Sequence, residues 1–166
     1  MGGKAAGLGE VAEIFGKEFV GDAVVVTSEC VTRWLNDQGK LQELVNQLVK
    51  EEDVNKKLRL AEKIRSGLAR LVFSDIVVDK VVGQIKGSSF AVRSSSFDED
   101  TLVNGTAAGI YESEIGVTRE ELGVKLVEVI SSFFSEKAVS YRHLHGLSDE
   151  PVFAVVVQEY ISGSGG

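Results

Sequence analysis

Apolar residues fall into blocks whose spacing changes from that of a helix to that of a strand and back. Leu8, Val11, Ala12, Phe15 and Phe19 recur every three or four positions behind a Gly-rich opening, which predicts a loop followed by a helix. Ala23-Val24-Val25-Val26 is a β-branched run after Gly21-Asp22 and reads as a buried strand; Thr27 and Ser28 are placed to cap a short helix through Trp34. Between Gly39 and Leu71 two helical series follow, Leu41, Leu44, Val45, Leu48 and Val49, then Val54, Leu58, Ala61, Ile64, Leu68 and Leu71. Glu51-Glu52-Asp53 divides them, and Asp53 is placed to cap the second. Their Lys50, Lys56, Lys57, Arg59, Lys63 and Arg65 interleave with acids and read as a solvated face. Ser74 to Lys86 fits a helix by spacing and a strand by composition. A helix is preferred, capped by Ser74 and stopped at Gly87, so that residues 36–86 form a helical segment.

In the second half, Ser89-Phe90-Ala91-Val92 predicts a strand that delivers Arg93 to its carboxyl end. Residues 94–109 predict a long polar loop, of a length that is usually functional. Thr118-Arg119-Glu120-Glu121 has the capping-box pattern. One long helix is expected after it, with Leu122, Leu126, Val129, Ile130, Phe133 and Phe134 on one face and Ala138, Tyr141 and Leu144 extending that face. Val152 to Ile161 reads as the last strand, with Pro151 at its entrance, and residues 162–166 as a flexible end. The pattern predicts a single α/β domain over 1–166, a mixed sheet with packed helices.

Composition narrows the function classes. With 43% apolar residues the chain can close a core without disulfides, and 18 basic against 25 acidic residues leave a formal charge of −7, with no basic cluster to hold nucleic acid. Its single cysteine, Cys30, reads as a packing residue and agrees with a reducing, cytoplasmic setting. No apolar run approaches the ~20 residues of a membrane helix.

Two stretches carry candidate chemistry. Gly2-Gly3-Lys4-Ala5-Ala6-Gly7-Leu8-Gly9 combines free backbone amides with a cationic point charge, and Arg93 adds a planar fork suited to phosphate oxygens. Together they suggest a polyphosphate site, although neither is a P-loop. His143 and His145, two positions apart on a helix, point to different faces and make no metal pair. Asp98, Glu99 and Asp100 offer carboxylates suited to Mg²⁺, but a solvated loop is the simpler reading.

The same segments resemble the amino-terminal nucleotide-binding domain of phosphoenolpyruvate synthase and pyruvate phosphate dikinase. The likeness runs from Gly2–Glu10 through Phe90-Ala91-Val92-Arg93-Ser94-Ser95 with Glu99-Asp100. It continues in Ala108-Gly109-Ile110-Tyr111-Glu112-Ser113, in Ser132-Phe133-Phe134 to Ala138 with Tyr141-Arg142, and in Val157-Gln158-Glu159-Tyr160-Ile161. Departures include Val20-Gly21-Asp22 where members carry Pro-x-Gly-Phe, Ser113 for threonine and Lys137 for arginine.

The resemblance implies the first lobe of an ATP-grasp-like domain. Lys4 and Arg93 would contact the phosphates of ATP, and Gly109 and Ser113 would belong to the loop closing over them, within a phosphate-side loop at 94–109. The backbone of Gln158, Glu159, Tyr160 and Ile161 would meet the adenine, within a hinge and flexible end at 158–166. Mg²⁺ would take its ligands from a second lobe expected beyond Gly166, so that no metal ligand and no catalytic residue falls here. The phosphoryl group would pass to a phosphohistidine domain and then to pyruvate, or, as in rifampin phosphotransferase and the glucan water dikinases, to another acceptor. This lobe alone is expected not to turn over and to self-associate as a homodimer through exposed cleft surface. The rival from another class is a non-catalytic nucleotide-binding or structural module.

Overall fold

The computed structural model describes residues 22–96 and 110–162. The Gly-rich opening with Lys4, the helix expected over Leu8 to Phe19, and Gly109 with residues 97–108 lie outside the described residues. So does the end of the chain from Gly163.

Strand β1 (Ala23–Val26) leads through the Thr27 cap, whose hydroxyl accepts from the Cys30 amide, into α1 (Ser28–Asn36). Helices α2 (Lys40–Lys50) and α3 (Val54–Leu68) form the expected hairpin, and the Asp53 carboxylate caps α3 by accepting from the Lys56 amide at 2.9 Å. Helix α4 (Asp75–Val82) follows Ser74 as anticipated but ends at Gly83, short of Gly87. Strand β2 (Phe90–Ser96), β3 (Ser113–Val117), α5 (Arg119–Ser132), α6 (Glu136–Leu144) and β4 (Phe153–Glu159) complete the described elements.

Two expectations are corrected here. The single long helix is two: Phe133, Phe134 and Ser135 interrupt it, and the Ser135 hydroxyl starts α6 by accepting from the Ala138 amide at 3.1 Å. Apolar spacing runs through the break because Phe133 and Phe134 are buried on both sides of the turn. The sheet is not mixed. Its order is β1-β4-β2-β3 and every pairing is antiparallel. The last strand inserts between β1 and β2, so both of its neighbours run against it.

Strand alternation divides the sheet into two faces. Phe90, Val92, Val117, Phe153, Val155 and Val157 belong to the main core, together with Val31 and Leu35 of α1 and Leu122, Leu126, Val129 and Ile130 of α5. Helices α1 and α5 therefore lie on one side of the sheet, and the others pack around them. Ala91, Ala154 and Val156 are also buried, yet stand outside that core cluster, on the opposite side. The described residues thus form an α/β lobe whose described helices lie on one face of the sheet. Among the described residues no helix is long and apolar enough to cross a membrane.

Candidate functional site

On the side away from the helices, β2 presents Ala91, Arg93 and Ser95; β4 presents Ala154, Val156 and Gln158; and β1 presents Ala23 and Val25, all in direct register. Ser113 of β3 stands opposite Arg93. These side chains are mostly small and make up a floor in which Ala91, Ser95, Ala154 and Val156 are buried and Arg93 is exposed. Arg93 supplies its positive charge.

Arg93 is not at a strand end. Pairing continues past it, Ser94 with Val155, Ser95 with Ala154 and Ser96 with Phe153, so the first three residues of the expected 94–109 loop are strand. Alternation explains the difference: Ser94 is buried on the helix side and Ser95 on the floor, and serine fits a strand that is covered on both faces by neighbours. The Arg93 side chain is exposed and makes no hydrogen bond or ion pair among the described residues. A guanidinium on a strand paired on both sides presents planar donors of the kind that suit carboxylate or phosphate oxygens.

Ser113, also exposed, opens the edge strand β3. Here β3 carries one residue more than β2 between Val117 and Glu114, and Gly116 absorbs the bulge at φ 70°, a backbone region that side-chain-bearing residues rarely adopt. Glu114 points to the helix side, where Lys125 of α5 lies 3.7 Å from it and 2.7 Å from Glu128. Those carboxylates raise the Lys125 pKa, the Glu128 hydrogen bond most.

Gln158 to Ile161 leaves the far end of the floor. Gln158 pairs with Ala91 and Ala23, the Glu159 amide donates to the Asp22 carbonyl at 2.8 Å, and the Tyr160 amide donates to the Ser89 carbonyl at 2.8 Å. Both amides are therefore taken by protein, and Ile161 is the first of the four residues beyond them. From Val156, beside Arg93, to Glu159, where β4 ends, the strand advances about 10 Å at ~3.4 Å per residue.

Behind β3 the structure holds a buried ionic cluster that the sequence reading missed. Lys57, expected on a solvated face, is 8% exposed and donates to Asp149 Oδ2 at 2.6 Å, while Arg142 Nε donates to Asp149 Oδ1 at 2.8 Å. Lys57 occupies the stripe Lys57, Ala61, Ile64, Leu68 that α3 buries, and that spacing is the signal for it. Cys30, read as a packing residue, is exposed in the first turn of α1. His143 and His145 are exposed, and the His145 ring lies 4.3 Å from that of Tyr141.

Residues 1–165 match the family described as the pyruvate phosphate dikinase AMP/ATP-binding domain. A rifampicin phosphotransferase from a Streptomyces species is 31% identical over 169 residues, which is 97% of this chain and 19% of that protein. The phosphoenolpyruvate synthase of Aeropyrum pernix is 33% identical over 177 residues, 98% of this chain and 21% of that protein. An uncharacterized phosphotransferase of Bacillus subtilis is 33% identical over 123 residues, 70% of this chain and 15% of that protein. The chain spans about a fifth or less of the length of these relatives.

Proposed function

This chain belongs to the pyruvate phosphate dikinase AMP/ATP-binding domain family, and from that premise we propose that the face of its sheet turned away from the described helices is the floor on which ATP lies. The observation that carries the reading is Arg93, an exposed guanidinium without a hydrogen-bond or ion-pair partner among the described residues, held mid-strand between Ser113 and Val156. The phosphates rest at this end, against Arg93 and Ser113, with Lys4 and Gly109 joining from the segments outside the described residues. The adenine rests at the other end, where Ile161 offers its amide and Tyr160 its carbonyl; the side chains of Gln158 and Glu159 border it.

Positive groups at the phosphate end stabilise the charge that develops as the terminal phosphoryl group leaves. Among the described residues no group of three or more His, Cys, Asp or Glu is placed to hold a metal ion. Mg²⁺ accompanying the nucleotide would neutralise phosphate charge and would take its protein ligands from outside the described residues, in a second lobe of the whole protein. In the whole protein the phosphoryl group passes to a histidine and then to pyruvate. The similarity to a rifampicin phosphotransferase supports a second reading, with rifampicin as acceptor. Phosphoryl transfer by the full-length protein to one compound and not the other separates the two.

Calorimetric titration with ATP at low and high salt tests the floor itself. Arg93→Ala should weaken binding about tenfold or more, the value of one charge-assisted contact, and reduce the salt dependence. Arg33→Ala, an exposed arginine on α1 across the sheet, is the control for general loss of charge. Equal weakening by both substitutions overturns the reading.

A further inference from the structure

We infer that Arg142 is a positioning residue: through Tyr111 it fixes where β3 meets β2, and so holds Ser113 opposite Arg93, an inference that rests on the nucleotide-floor reading above. Arg142 is fully buried. Its Nε donates to Asp149, one terminal nitrogen donates to the Phe133 carbonyl at 2.7 Å, the other donates to the Tyr111 hydroxyl at 3.3 Å, and its guanidinium carbon sits 3.8 Å above the Phe133 ring. Asp149 is shared with Lys57, so this buried cluster of one carboxylate and two cations carries a net positive charge. Burying that charge costs more than an apolar cluster of the same volume would, and stability alone therefore does not account for it. What a guanidinium adds is direction, because its donors lie in one plane at fixed angles.

That direction bears on the floor. Tyr111 stands two residues before Ser113, and its ring stacks on Phe133 at 6.0 Å with 6° between the planes. Phe153 stacks on the same ring at 4.9 Å and pairs through its backbone with Ser96, three residues beyond Arg93. Strands β3 and β4, which flank Arg93, are thus both referenced to Phe133, and Arg142 holds the Tyr111 side of that reference. β3 needs it most. Among the described strands it is an edge, paired on one side only and bulged at Gly116, so fewer ladder hydrogen bonds hold it in place.

The test uses Tyr111→Phe in the full-length protein. This change removes the hydroxyl that accepts from Arg142 and keeps the ring stack; Arg142→Lys keeps the charge and loses the planar donors. ATP affinity by calorimetry, thermal unfolding, and hydrogen exchange of peptides covering 90–96 and 110–117 are measured together. For Tyr111→Phe we expect faster exchange confined to 110–117 and ATP binding weaker by about fivefold, the equivalent of ~1 kcal/mol for one hydrogen bond, with a melting temperature within about 2 °C of the parent. Arg142→Lys, where it folds, should fail to restore the affinity. Unchanged exchange or unchanged ATP affinity in Tyr111→Phe, in a protein whose parent binds ATP and responds to Arg93→Ala, overturns the inference alone. A parent that binds no ATP overturns the floor reading instead.

Discussion

Ser113 faces Arg93 across the β2–β3 ladder, at the edge of the sheet and on the side away from the helices. A hydroxyl and a planar cation side by side can each hold a different oxygen of one phosphate, and the planar part is the more demanding. Arg93→Lys should therefore retain the salt dependence of ATP binding but weaken the affinity about three- to tenfold, since an ammonium keeps the charge and loses the fork. Titration at two ionic strengths reads both quantities. Full affinity in Arg93→Lys would mean that charge alone is recognised.

Asp149 has both oxygens engaged, one by Lys57 and one by Arg142. Removing it leaves two buried cations facing each other, whereas removing Lys57 leaves a balanced pair. Asp149→Ala should cost about 3 to 5 kcal/mol of unfolding free energy, and Lys57→Met at least ~2 kcal/mol less. Urea unfolding of the two variants decides. Equal losses would show that Lys57 contributes to the cluster as much as the carboxylate does.

At the start of α5 the Thr118 amide and hydroxyl both donate to Glu121 Oε2, at 3.0 and 2.9 Å. The amide hydrogen bond is the larger cause, and together they hold the Glu121 carboxyl below its ordinary value of 4.5. A carboxyl whose pKa is lower folded than unfolded contributes stability above its unfolded value, and loses that contribution as pH falls through the folded value. Glu121→Gln keeps an acceptor at this position and removes the charge. The urea midpoint of the parent should exceed that of Glu121→Gln at neutral pH, and the gap should close at about pH 2. A gap that persists in acid would assign the effect to shape rather than charge.

Ser94 lies beside Arg93 in sequence but on the side of β2 facing the described helices, and its hydroxyl is buried without a hydrogen-bond partner among the described residues. Ser94→Ala should leave ATP affinity unchanged and be neutral or stabilising by up to about 1 kcal/mol, because it removes an unsatisfied polar atom with little change of volume. Thermal unfolding and the ATP titration check the two halves. A loss of ATP affinity would place the Ser94 hydroxyl on the ligand side after all.

Where local chemistry decides structure, the sequence was legible. Thr27, Asp53 and the Thr118-Glu121 box start α1, α3 and α5 where their side chains predict. Extent was harder to read. The apolar spacing of Ser74 to Lys86 continues past Val82 because Ile85 is buried without being helical, and Phe133 and Phe134 carry the helical period across a turn. Arg93 was read as a strand end because Ser94 to Ser96 look like loop; only the strand β4 beside them shows that they are paired. The Lys57–Asp149 contact joins residues 92 positions apart, and no local pattern encodes a partner at that distance. Of the candidate site, the resemblance named both Arg93 and Ser113, but their pairing across the ladder and the Val156 neighbour on the other side became visible only in the fold.

The position of β4 also bears on how the chain is made. It is the last described strand in the sequence, yet it sits between β1 and β2, which are not adjacent to each other in the sheet. A nascent chain therefore has all its described helices and three of its described strands before it has a sheet that joins them. Until Phe153–Glu159 has left the ribosome, the facing edges of β1 and β2 are open, and closure depends on contacts between the two ends of the described chain, the kind that form slowly and leave strand edges exposed while they form. Chaperone dependence and aggregation during synthesis should therefore concentrate in the interval before β4 emerges.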